Sequence, residues 1–115
     1  MNLLIRLLKL LKAQQVISKT NKVYFKLKNI IFRMKYSVDT LFYIFRKGLP
    51  VKNKDSDLYR LDKFGNLIYW HSYGKLTPMG WEVDHSKPKA AGGTDHLNNL
   101  QPLHWQANRN KGAKY

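Results

Sequence analysis

The chain of 115 residues contains no cysteine. That excludes disulfide scaffolds and thiolate zinc knuckles, so no structural zinc is expected, and a small core must come from packing or from a metal held without sulfur. Acids are scarce: 7 Asp and Glu stand against 21 Lys and Arg, a formal net charge of +14. Such an excess points to a polyanionic partner, nucleic acid or an anionic membrane face, and says nothing about fold. The plain alternative is a basic protein with solvated lysines. Long apolar runs are missing too. No uncharged apolar stretch approaches the roughly 18 residues of a membrane-spanning helix, so no transmembrane segment is expected.

What is present is unevenly spread. Residues 1–50 hold 11 Lys and Arg and a single acid, Asp39, whereas residues 51–115 hold 10 and six. The only Gly and Pro of the first part, Gly48 and Pro50, lie at its end, and the second part carries all three Trp and all four His. The composition shift and the polar cluster at Val51-Lys52-Asn53-Lys54 place a boundary near Pro50. Two regions follow: a basic, amphipathic, mainly helical segment at 1–50 and a domain at 51–115.

The opening MNLLIRLLKLLKA has a helical period, with Leu3, Leu4, Leu7, Leu8 and Leu11 on one face and Asn2, Arg6, Lys9 and Lys12 on the other. Arg6 and Lys9 interrupt it too early for a secretory signal. An acid-free amphipathic helix suits either a basic helix that packs on the domain or meets DNA phosphates, or a presequence or membrane-surface helix. Residues 16–36 read as helix, and a further helix is expected over Thr40–Lys47 with Asp39 as N-cap and Gly48 as terminator. Beyond Leu58 the pattern becomes extended. Tyr59–Asp62 and Leu67–Trp70 read as a β-hairpin about a Gly65-Asn66 turn. Trp81–Val83 is a short strand, Lys87–Asn98 a loop, Leu100–Leu103 a returning strand, and Trp105–Lys111 has room for two helical turns.

The stretch from Trp81 to Lys111 carries the chemistry. It sets Asp84-His85 before a Gly92-Gly93 loop, then Asn99, then Asn108 with Lys111 just beyond. These residue types can hold one hard metal ion and one base against a phosphodiester. In a regular strand Asp84 and His85 would face opposite sides; Ser86-Lys87-Pro88 supplies the break that lets them share a site. On a helix Asn108 and Lys111, three apart, share a face.

This stretch resembles the HNH endonuclease family, in which a β-hairpin and a following helix hold a metal between them. The residues that match are Asp84-His85-Ser86-Lys87-Pro88, Gly92-Gly93, Asn99-Leu100-Gln101 and Asn108-Arg109-Asn110-Lys111-Gly112, with Asp62-x-x-Gly65 and Gly80-Trp81-Glu82 upstream. The resemblance covers roughly residues 57–115. It implies an α+β fold with an HNH-type hairpin-plus-helix finger, and metal-dependent hydrolysis of DNA phosphodiesters leaving 5′-phosphate and 3′-hydroxyl ends. RNA is left open as a substrate, and a double-strand break would require a homodimer or two encounters. Asp84 and Asn108 would be the metal ligands and His85 the general base, since a histidine's ordinary pKa of about 6.5 suits proton transfer near neutrality. Asn99 would steady the loop and orient His85, and Arg109 and Lys111 would hold phosphate oxygens. Some relatives place a further His ligand where Gly112 stands, so solvent and phosphate would complete the shell. That pattern suits Mg²⁺, with Mn²⁺ as a substitute. His104, four residues before Asn108, is a candidate additional ligand.

Other residues have plainer readings. Trp70, Trp81 and Trp105 are expected in the core, with Arg109 able to stack on Trp105. His71 and His96 are expected at the surface. Asp95 reads as a loop-capping residue and Glu82, on the strand face of Asp84, as structural, with support of a metal ligand as the alternative. The rival to the hydrolase is a non-catalytic basic nucleic-acid-binding protein. An intracellular, cytoplasmic location is expected, with organellar targeting by residues 1–18 as the alternative.

Overall fold

The structure is a computed structural model that describes residues 2–13, 18–33 and 35–114. It contains four α-helices, three short 3-10 helices and two small antiparallel sheets among those residues, an α+β architecture. The chain divides into two compact units at Thr40/Leu41.

In the first unit α1 (Leu3–Ala13) and α2 (Ser18–Arg33) pack on each other. The Asn2 side chain caps α1, its Oδ1 accepting from Leu4 N at 2.7 Å. Leu3 and Leu7 remain exposed on α1, and Lys22, Lys26 and Lys28 on α2. The helix expected over 16–36 is α2; positions 16, 17 and 34 of that span lie outside the described residues. No helix among the described residues is long and apolar enough to cross a membrane.

Helix α3 (Val38–Phe45) starts earlier than the sequence suggested. Its cap is Ser37, whose Oγ accepts from Thr40 N at 3.2 Å, and Asp39 sits inside the first turn, where a negative charge suits the helix dipole. The helix stops before Gly48, whose N–H returns to Phe45 O at 3.0 Å. A Cβ there would lie 2.8 Å from Leu61 O, so only glycine lets the chain turn against the neighbouring strand.

The second unit is built around Trp81. Three strands, β1 (Leu49–Pro50), β2 (Tyr59–Leu61) and β3 (Leu67–Tyr69), form one antiparallel sheet in that order. Strands β4 (Trp81–His85) and β5 (Leu100–His104) form the other, with Asp84 opposite Gln101 and His85 opposite Leu100. Helix α4 (Trp105–Lys111) follows β5 directly and packs on both of its strands. Ile44, Phe45, Ile68, Trp81 and Leu103 are fully buried. The Phe45 and Trp81 rings lie 5.2 Å apart and Tyr73 closes on Trp81 at 4.9 Å. Trp70, which touches the Phe45 and Trp81 rings, and Trp105 are only half-buried.

Two polar side chains tie the pieces together. Asp62, buried at the end of β2, accepts from Phe64 N and Asn66 N on Oδ1, and from Asn66 Nδ2 and His104 N on Oδ2. It therefore closes the β2–β3 turn and fastens it to the end of β5. Lys47 donates to the carbonyls of Leu97 and Leu100, and burial holds its ammonium pKa below the ordinary lysine range.

Candidate active site

Glu82 and Asp84 are two apart on β4 and so share one face, the one that meets α4. The helix answers each carboxylate. Lys111 Nζ stands 3.0 Å from Asp84 Oδ2 and donates to His85 O at 3.1 Å. Asn108 Nδ2 and Arg109 Nη2 each donate to Glu82 at 3.0 Å, to Oε2 and Oε1 respectively. Gln101, opposite Asp84 in the ladder, adds a 2.8 Å bond to Asp84 Oδ2. Asp84 and Lys111 are both buried. Each needs the other, since an unpaired charge there would go uncompensated.

Asp84, His85 and Lys111 line one open cavity of about 230 Å³, together with Pro88, Lys89 and Gly112. The strand runs through both Asp84 and His85, ending only at Ser86. His85 Nε2 lies 2.7 Å from Asp95 Oδ1, and Lys89 Nζ holds Asp95 Oδ2 at 2.9 Å. The hydrogen bond from Lys89, and then that from His85, pulls the Asp95 carboxyl down to about 2. Asp95 is thus ionised at any ordinary pH and can only accept, so Nε2 of His85 is the donor in this bond.

Asn99 clasps the loop between the strands. Its Oδ1 accepts from Lys87 N at 2.8 Å, while Nδ2 donates to Lys87 O at 3.1 Å and Thr94 O at 2.8 Å. Its backbone carbonyl takes Ser86 N at 2.8 Å, which anchors the residue after His85. Gly93 passes so close to Lys87 O that a Cβ would stand 1.8 Å from it. This close approach folds the Gly-Gly loop back on itself and delivers Asp95 to His85.

The arrangement separates the residues singled out from sequence. Asp84, His85 and Lys111 meet at the cavity. Asn108 and Arg109 do not line it; both bond to Glu82. The ring that stacks on Trp105 is that of His104, at 5.9 Å. His104 is also the cap of α4: its Nδ1 accepts from Gln106 N at 3.2 Å and its Nε2 donates to Pro78 O at 2.9 Å. Both ring nitrogens are engaged, which leaves none for a metal. Sequence reading named Gln101 only within the matched motif, passed over Lys89 and gave Asp95 a loop-capping part. The i, i+2 spacing of Glu82 and Asp84 was a usable signal for Glu82; the contact of Asp95 has none, because it is made by a loop.

The cation question turns on oxygen atoms. Lys111 and Gln101 both bond to Asp84 Oδ2, and among the described residues nothing bonds to Oδ1. Asn108 spends its amide nitrogen on Glu82 and its oxygen on no described residue. No group of three or more His, Cys, Asp or Glu side chains converges among the described residues. One free carboxylate oxygen and one free amide oxygen fit a hard divalent cation that keeps most of its water, and do not fit a closed zinc centre.

Residues 66–114 match the model of the HNH endonuclease family. This segment is similar to HNH domains. The matched segment spans β3, the β4–β5 pair and α4, so every residue of the cavity lies within it. HNH nucleases act on nucleic acids and use a divalent metal. No curated protein and no solved structure matches the chain.

Proposed function

We propose that this protein hydrolyses DNA phosphodiester bonds, with β4, β5 and α4 as the hairpin-plus-helix finger of the HNH domain. The observation that carries the reading is the shared cavity of Asp84 and His85, a carboxylate and a base on the rim of one opening. His85 takes a proton from water; the water oxygen bonds to phosphorus; the P–O3′ bond breaks and its electron pair leaves on O3′, which takes a proton from solvent. Asp84 and Asn108 would hold the cation, with Mg²⁺ favoured by the oxygen donors. When bound it would supply positive charge to the phosphorane-like transition state and to the leaving oxygen. Lys111 balances Asp84 and braces the His85 carbonyl, and Asn99 keeps the loop closed.

Two measurements test the site. Full-length protein should nick supercoiled plasmid with Mg²⁺, and a chelator should stop it. In a calorimetric titration with Mn²⁺ the wild type should show one binding event that Asp84→Ala abolishes. Undiminished binding by that variant would remove Asp84 as the ligand. The non-catalytic reading has one observation in its favour: Arg109 is spent on Glu82 rather than offered to phosphate. It predicts DNA binding with no cleavage under any divalent ion.

Residues 1–50 are the electrostatic arm of this proposal. Lys22, Lys26 and Lys28 are exposed along α2. If each contacts one phosphate, replacing all three with Gln should flatten the plot of log affinity against log salt by about 2.7, at ~0.9 per contact. An unchanged slope on duplex DNA would exclude α2 from the interface.

A further inference from the structure

The hydrolase reading leaves one contact of His85 unused, an exposed loop carboxylate bonded to the ring of the proposed base. We propose that Asp95 is a positioning residue for His85, fixing the imidazole with Nε2 protonated so that Nδ1 is the atom that takes the proton from water. The inference rests on that reading and goes beyond it, since it names the basic atom and the group that selects it.

Three contacts carry the argument. Asp95 Oδ1 and His85 Nε2 are 2.7 Å apart, the separation of a charge-assisted hydrogen bond. Asp95 Oδ2 is held by Lys89 at 2.9 Å, so the carboxylate cannot swing away without breaking an ion pair. The loop that carries Asp95 is locked on both sides, by Asn99 bonded to Lys87 and Thr94 and by Gly93 packed on Lys87 O. An imidazole in water rotates about its side-chain torsions and samples both tautomers. A base must present one lone pair at one angle, and the chain Lys89–Asp95–His85 removes both freedoms. As a surface salt bridge the same chain would contribute little to stability, since more than half of the Asp95 side chain is exposed. Its consequence lies in the orientation of the ring.

The test uses the full-length protein and its Asp95→Ala and Asp95→Asn variants. Plasmid nicking is measured as kcat and KM, and ¹⁵N spectra of the ring nitrogens at about pH 8, where an ordinary imidazole is neutral, report the tautomer. Wild type should show His85 as the Nε2–H form alone, and Asp95→Ala a mixture. In Asp95→Ala, kcat should fall roughly 10–100-fold, as for other groups that orient a reacting histidine, with KM within about twofold. Asp95→Asn keeps an acceptor oxygen and should fall between the two. A wild type that cuts and an Asp95→Ala variant that cuts equally well overturn the role of Asp95 alone; so does an unchanged tautomer. A wild type that leaves plasmid intact under every divalent ion overturns the hydrolase reading instead.

Discussion

Replacing His85 with alanine should lower plasmid nicking by roughly 10²–10⁴-fold, the usual contribution of a positioned general base. The protein should otherwise behave as before. The ring is only partly buried and its partner Asp95 is exposed, so their ion pair contributes little to folding. His85 meets the buried pair through its backbone carbonyl, which accepts from Lys111 and survives truncation of the side chain. DNA affinity and melting temperature should therefore stay near wild type while the chemical step is lost. That separation distinguishes a missing base from a damaged fold. A His85→Ala protein that nicks at the wild-type rate would discard the ring as the base, whatever the metal does.

Asp62→Ala should be the most destabilising single polar substitution in the second unit. The carboxylate is 1% exposed and accepts four hydrogen bonds, from Phe64 N, Asn66 N, Asn66 Nδ2 and His104 N. Removing an acceptor that leaves a buried donor unpaired costs about 1–3 kcal/mol. His104 N is such a donor, and the turn amides add to the loss. We expect about 3 kcal/mol or more, a large share of the roughly 5–15 kcal/mol that holds a domain together. For a unit of this size that is a fall of at least about 10 °C in melting temperature. Asp62→Asn should be nearly as harmful, because one amide nitrogen would face N–H groups that need an acceptor. The damage should reach the site, since His104 caps α4 and α4 carries Lys111 and Asn108. A shift under about 3 °C in scanning calorimetry would show that the four bonds are replaced by solvent.

Local pattern was enough to place the elements. The alternation around Gly65-Asn66 became β2 and β3, the strand before Asp84 and its return became β4 and β5, and the residues after Leu103 became α4. These depend on neighbours in sequence: side-chain alternation, turn residues, the three-residue step of a helix face. Charge and composition drew attention to Pro50, yet Leu41, Ile44 and Phe45 belong to the second unit, because aromatic packing on Trp81 is invisible to a count of lysines. Asp39 looked like a cap by residue type; Ser37, two residues earlier and just before the helix, is the cap.

By itself, then, the order of residues determined that a carboxylate, an imidazole and an amide would ride on a strand pair and the helix behind it. It also determined that Gly93 and Asn99 would shape the connecting loop. Only the tertiary structure decided the pairings: Lys111 with Asp84, Asn108 and Arg109 with Glu82, Asp95 with His85, His104 with the helix end. Spacing along a chain fixes which face a side chain occupies. Which opposite charge it meets depends on the β4–β5 register, on how α4 crosses β4, and on the demand that every buried charge find a partner.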